Sequence, residues 1–281
     1  MQDLSTLNPS FFDEKCIEEF LCEINDTKDP VQRIISWLVM LKIIPNNKKE
    51  ALISFRKLFA KYHKTFEWDH SNFTIDVDVD RSIVWFMKNS QKCNLPEKYL
   101  DNSAEYLKRI LWHLSRLIKP SDNLPYEYRQ GFDRFVGNTY LLSLCFVHQL
   151  ARNYKSSLRL FAEVISLHLT RRLIDLADSY FNPFHVSESQ LFVRLNGLMN
   201  EHFPDRLKIL SDSNLSTFHF SVRWFLLLYA DEHDFSSCLL LWDHLILHSQ
   251  HHDDFQNYMD AIFLRHFEQI PVNRNCYIST I

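Results

Sequence analysis

The stretch "DPVQRIISWLVMLKIIP", residues 29–45, decides the fold class. Asp29 followed by Pro30 reads as a helix start. An aspartate side chain accepts from the free N–H groups of a first turn, and proline at the first helical position lacks only an N–H that has no partner there anyway. Apolar residues then recur at helical spacing, and Pro45 is expected to close the run before the polar "NNKKE". The same period extends outward. "FFDEKCIEEFLCEI" (11–24) puts Phe12, Ile17, Phe20 and Leu21 on one side, and "EALISFRKLFAKYHKTFEW" (50–68) is amphipathic. "SAEYLKRILWHLSRLIK" (103–119) carries Leu107, Ile110, Leu111, Leu114 and Ile118 behind Ser103 as an expected N-cap. Six more such stretches follow, from "GNTYLLSLCFVHQLARNY" to "DDFQNYMDAIFLRHFEQI". The expectation is an all-α chain of many medium-length helices, with its internal break near "ARNYKSS", 151–157.

Composition agrees. With 281 residues, 46% of them hydrophobic, and 23 Phe, 11 Tyr and 6 Trp, a large core is easily supplied. Only 3 Gly and 9 Pro argue against a turn-rich β fold and against long flexible linkers. Neither G-x-x-x-x-G-K nor G-x-G-x-x-G occurs, which excludes the familiar glycine-rich phosphate loops. A net charge of −4, with both signs interspersed, leaves no electrostatic footprint for nucleic acid. The six cysteines form no C-x-x-C pair and read as reduced, mostly buried thiols of a cytosolic protein. The longest apolar runs, such as "WFLLLYA" (224–230), are too short to span a bilayer, and no leader is expected at "MQDLSTLNPSFFDEK".

Three constellations could carry chemistry. "IDVDVDR" (75–81) alternates Asp76, Asp78 and Asp80 like the opening of a calcium loop, but the sixth position would be Arg81 and the twelfth Met87, where glycine and glutamate are required. It reads instead as an aspartate-capped helix start, on which Asp78 and Arg81 are i, i+3 neighbours able to pair. An arginine so held could meet an anion from outside. "HSQHHDD" (248–254) spaces His248, His251 and His252 as zinc ligands can be spaced, but no second ligand cluster accompanies them, and a solvated helix end is expected. His113, His148 and His168 lie in apolar helices and read as core or edge histidines. "PYEYRQGFDRFVG" (125–137) gathers two of the three glycines, Gly131 and Gly137. On local physics this is a loop-to-helix junction with Gly131 permitting the turn.

Taken together, these pieces resemble the TBC domain, the GTPase-activating module for Rab-family small GTPases. "RIISW" places Arg33 and Trp37 as in the family's first motif, and I-x-x-D-x-x-R appears as Ile75, Asp78 and Arg81. Y-x-Q-G appears as Tyr128 to Gly131, after "YLKRIL" (106–111), which looks like the family's helix leading to it. "VRWFLLLYADEHDFSSCLLLWDHLI" (222–246) is similar to the family's later stretch, with Arg223, Trp224, Trp242 and Asp243. The likeness covers roughly residues 28 to 270. The family usually continues Q-G-M-N-D where this chain reads "QGFDR" (130–134), and the interval from Arg81 to Gln130 is longer than usual, implying an inserted loop around "KNSQKCNLPEKYLDN" (88–102).

The resemblance implies an N-terminal helical extension (1–27) and a TBC domain over 28–275. Its two helical lobes, about 28–155 and 156–275, would flank a shared groove, and 276–281 would be a tail. It also implies an activator of GTP hydrolysis. Arg81 would be the arginine finger and Gln130 the glutamine finger, donated in trans to a Rab in its GTP-bound state. GTP and Mg²⁺ would belong to the partner, with no cofactor in this chain. Asp78 would position Arg81, Tyr128 would shape the wall beside Gln130, and Gly131 would let a partner's switch loop approach the backbone. Gly137 reads as helix packing. Arg33 and Trp37 would lock helices under the groove, Arg223 and Trp224 would be core and scaffold of the second lobe, and Trp-Asp at 242–243 would make an interhelical hydrogen bond at a packed indole. The implied location is cytoplasmic and peripheral at endomembranes, in vesicle trafficking. The alternative is a TBC-fold scaffold that binds Rab–GTP or another trafficking partner without accelerating hydrolysis, which the "QGFDR" departure would favour.

Overall fold

A computed structural model describes residues 2–25, 27–63, 72–119, 123, 125–151, 156–181 and 189–270. Among them the chain forms α1 (Glu14–Cys22), α2 (Pro30–Met40), α3 (Lys48–His63), α4 (Phe73–Gln91), α5 (Ser103–Ser115) and α6 (Phe132–Leu150). Then come α7 (Ser156–Tyr180), α8 (Ser189–His202), α9 (Pro204–Asp212), α10 (Thr217–Leu226), α11 (Phe235–His248) and α12 (His252–Gln269). The chain is all-α: the described residues hold no strand beyond one isolated bridge, Ile118 with Pro125.

Local chemistry sets the helix ends, not always where the sequence suggested. Asp29 accepts from Gln32 N–H at 3.0 Å with Pro30 in the first turn, as expected. The other end of α2 comes sooner than Pro45. Lys42 turns left-handed (φ 56), and the N–H groups of Ile43 and Ile44 both return to Leu38 O, closing the helix at Met40. Helix α4 does not start at its aspartates. Asn72 caps it through Ile75 N–H, which leaves Asp76 in the first turn and puts Asp78 and Asp80 in the helix body. Ser103 is not the cap of α5 either: left-handed Asn102 holds that position, and Ser103 Oγ donates back to Leu100 O at 2.6 Å. The expected inserted loop is partly helical, since α4 runs to Gln91. A single turn at Glu97–Tyr99 then sinks Tyr99 against His148.

The chain forms two compact units. One comprises residues 1–173 and 233–247, the other 174–232 and 248–281. The division does not fall at 151–157, much of which lies outside the described residues, because α7 continues unbroken through residue 173 and the chain returns to the first unit at α11. In the first unit α6 is the central element, buried along almost its whole length. Helix α4 crosses it at Gly137, where a Cβ would stand 2.9 Å from the Trp85 ring, so this glycine is there for packing. Thr139 on α6 bonds Ser166 and Thr170 on α7, each at 2.8 Å. In the second unit an aromatic cluster of Phe220, Trp224, Phe225, Phe263 and Phe267 forms the core. Arg206 caps the end of α12 through the carbonyls of Phe267 and Ile270. Trp224 is core as expected, but Arg223 is not. Its side chain is exposed and pairs with Asp231 at the surface of the second unit.

The expectation of mostly buried thiols fails as well. The described cysteines form no disulfide, and of them only Cys238 is buried, while Cys22 is exposed; Cys276 and the tail 276–281 lie outside the described residues. His113 and His168 behave as interior groups. Burial first, then neighbouring cations, lowers each to about 4. No described helix is long and apolar enough to cross a membrane.

Candidate functional site

Two arginine–aspartate constellations stand in the first unit. The interior one gathers on Asp243, whose side chain is fully buried. Arg33 reaches both carboxylate oxygens through Nε at 3.2 Å, and Trp37 Nε1 donates to Oδ1 at 2.7 Å. Lys28, unmarked by any sequence signal, adds a third donor at 3.1 Å and also donates to Leu21 O. Trp242 packs beside Trp37 and stacks on Phe135. Arg33, Trp37 and Asp243 thus form one device, in which the Trp37 indole donates to the carboxylate.

The second constellation is open to solvent. On α4, Ile75 and Val79 point into the core, and this fixes the helix rotation that leaves Arg81 outside. Arg81 keeps 70% of its side-chain surface exposed, while Asp78, one turn before it, keeps 8%. Asp78 Oδ1 stands 3.7 Å from Arg81 Nη1, so the aspartate pairs with the guanidinium itself while most of the arginine stays exposed. The flanking aspartates do not compete for Arg81. Lys108 on α5 takes both, at 2.8 Å from Asp80 and 3.6 Å from Asp76. Burial alone would depress Lys108, but Asp80 and Asp76 outweigh it and hold its ammonium above the usual range.

The segment after α5 brings Tyr128, two residues before Gln130, to the same aspartate. Tyr126 N–H donates to Leu117 O at 3.0 Å beside the Ile118–Pro125 bridge, and Tyr126 is buried, which pins the base of the loop. Two residues on, Tyr128 donates its hydroxyl to the second oxygen of Asp78 at 2.7 Å. Burial, the Asp78 bond and the charges of Asp133 and Asp78 all push the phenol upward, so it remains a donor. Asp78 therefore serves the arginine with one oxygen and the loop with the other. Gln130 follows, exposed, and Gly131 forms the N-cap of α6 with φ 99, a left-handed backbone that disfavours any Cβ. That conformation accounts for the glycine without a visiting backbone.

The departure "FDR" is absorbed behind this loop. Phe132 and Asp133 are buried, with Phe132 edge-on to Tyr128, and the Arg134 guanidinium lies 4.8 Å over the Trp85 ring. The sequence reading missed Lys28 and Lys108. Only the second had a trace, the i, i+4 pair Asp76 and Asp80, which invites one shared cation. His248, His251 and His252 make no metal site. His251 occupies the N-cap position of α12 through its backbone, His248 stacks on Tyr258, and among the described residues no group of three metal-ligating side chains converges.

Residues 31–270 match the Rab-GTPase-TBC domain profile. The chain belongs to that family. Its fold is similar to that of a solved structure, the Ypt/Rab-GAP domain of Gyp1p, with a TM-score of 0.59. At 15% identity, over 91% of this chain and 80% of that one, the likeness is one of fold. No match is found among curated proteins. Within the TBC match lie Arg33, Trp37, Asp78, Arg81, Tyr128, Gln130, Trp242 and Asp243, while Lys28 stands just before it.

Proposed function

We propose that this TBC protein activates GTP hydrolysis by a Rab-family GTPase, donating Arg81 as the arginine finger and Gln130 as the glutamine finger. The observation that carries the reading is Asp78, bonded by Tyr128 at 2.7 Å and paired with Arg81 at 3.7 Å, which ties the helix of one finger to the loop of the other. Both finger side chains remain exposed.

In trans, the two groups supply what a slow GTPase lacks. A guanidinium is always charged, planar and bidentate, and suits the spread oxygens of a phosphoryl group in transfer. A carboxamide can accept from the attacking water and donate to the γ-phosphate, fixing the line of attack. GTP and Mg²⁺ are the partner's, and this chain contributes only position and electrostatics. In other GTPases an arginine finger accelerates hydrolysis by about 10³–10⁵-fold, or roughly 4–7 kcal/mol of transition-state stabilisation. The reading places the protein in the cytoplasm, meeting a membrane-bound Rab in vesicle traffic.

The non-catalytic alternative drew on "QGFDR". The buried positions of Phe132 and Asp133 weigh against it, because these residues line the rear of the loop and leave the two fingers free. A phosphate-release screen against a panel of GTP-loaded Rab proteins tests the proposal. At least one Rab should be stimulated, and Arg81→Ala, Arg81→Lys and Gln130→Ala should each abolish most of that stimulation. Full activity in Arg81→Ala would remove the finger assignment.

A further inference from the structure

The mechanism leaves unused an apolar face on α4. Phe73 is 82% exposed and Val84 74%, with Met87 at 38%. The other large exposed apolar side chains among the described residues, Ile24, Ile53, Ile118, Val193 and Phe218, fall singly on different segments. Only α4 collects several. At 3.6 residues per turn, Phe73, half-exposed Val77 and Val84 lie within about 80° of Arg81 on one side of the helix, an arc they share with exposed Lys88. This side faces away from the core, which Ile75, Val79 and Phe86 meet. Apolar groups clustered around an exposed cation are an unusual use of a surface, since solvated helix faces normally carry polar residues.

We infer that Phe73, Val77 and Val84 form the docking stripe for the apolar switch surface around the γ-phosphate of the GTP-bound partner, and that they determine affinity, not rate. The inference rests on the proposed function, and the occupant follows from Arg81. A phosphoryl group in contact with this guanidinium is the complementary charge, and its carrier must cover what lies beside it. Val77 and Val84 are one turn away, and Phe73 is about 12 Å along the axis. A protein interface of ordinary size covers about 800 Å² on each partner, so it spans all three. Aromatic side chains such as Phe73 are enriched at the cores of protein interfaces. Met87 lies further round the helix and belongs to the rim.

The test uses the full chain with Phe73→Asp, Val84→Asp and the double variant, each checked for an unchanged melting temperature. Because the replaced side chains are exposed, folding should persist; Val84→Ser serves if an aspartate variant melts early. With the Rab best stimulated by wild type, the double variant should raise KM at least tenfold with kcat unchanged. Arg81→Ala should do the opposite, losing kcat while retaining binding to the same Rab loaded with a non-hydrolysable GTP analogue. A double variant with wild-type kcat/KM would overturn the stripe while leaving the fingers intact. If wild type stimulates no Rab, the proposed function fails, and binding to analogue-loaded Rab decides the stripe alone: loss of binding in the double variant supports it, and binding by neither protein overturns it. Sedimentation showing a wild-type dimer that the aspartates disperse would assign the stripe to self-association and overturn it too.

Discussion

Arg33 and Arg81 each meet an aspartate, and burial sends them in opposite directions. Arg33 and Asp243 are closed off from water, share the site with Lys28 and Trp37, and cross-link α2 to α11. Arg81 stays 70% exposed over an aspartate that is itself nearly buried. A carboxylate sealed in with its donors behaves as a strut. One that is buried while its guanidinium partner stays exposed orients that group and leaves most of its surface open to another molecule. Exposed pairs of this kind contribute little to stability, so the Arg81–Asp78 pairing is read as positioning.

Substitutions can break this contrast. The largest effect should come from Arg81→Ala, which lowers the stimulated rate about 10³-fold or more and leaves the urea midpoint where it was. A matching drop in stability would make Arg81 a second strut. Asp243→Asn should do the reverse. It strands two buried cations and should cost roughly 3–5 kcal/mol in urea denaturation, while kcat per folded molecule stays near wild type.

Acid tests the interior more broadly. His113 and His168 sit at about 4 in the fold, against an ordinary 6.5. Between those values the unfolded chain binds more protons than the folded one, so stability present above pH 6.5 should decline as pH falls toward 4. Replacing both with Gln should flatten that slope, and a slope unchanged by the replacement would place the acid sensitivity elsewhere. The smallest and most selective effect belongs to Tyr128→Phe. Loss of its bond to Asp78 should cost about 1 kcal/mol of stability and lower the stimulated rate roughly tenfold, with KM little changed. Equal loss in a Tyr128→Phe/Arg81→Ala double variant and in Arg81→Ala alone would show the two acting through one geometry.

Much of this architecture was legible in the residues. The α2 start could be read because Asp-Pro acts on its own first turn, and the Asp78–Arg81 pair because i, i+3 neighbours meet on any helix. What escaped was decided elsewhere. The stop at Met40 depends on a left-handed lysine, a backbone state that no lysine announces. Arg223 looked like core beside Trp224, yet the rotation of α10 buries the indole and turns the guanidinium out. The Tyr128–Asp78 bond joins residues 50 apart, and Lys28–Asp243 joins residues 215 apart, so local periodicity carries no trace of either. At Asp78 the motifs held Arg81 and Tyr128 apart in the sequence, and only the fold shows that one carboxylate meets both.

The return of the chain at α11 has a consequence for biosynthesis. Lys28 and Arg33 leave the ribosome long before Asp243, which follows Arg33 by 210 residues. At about 5–20 residues per second the wait is roughly 10–40 s. Throughout it the nascent first unit holds two cations with no counter-ion to bury them against. Helix α4 and the Tyr128 loop are already synthesised by then, but the scaffold under them can seal only once α11 has emerged, and a product that stops before Asp243 never seals.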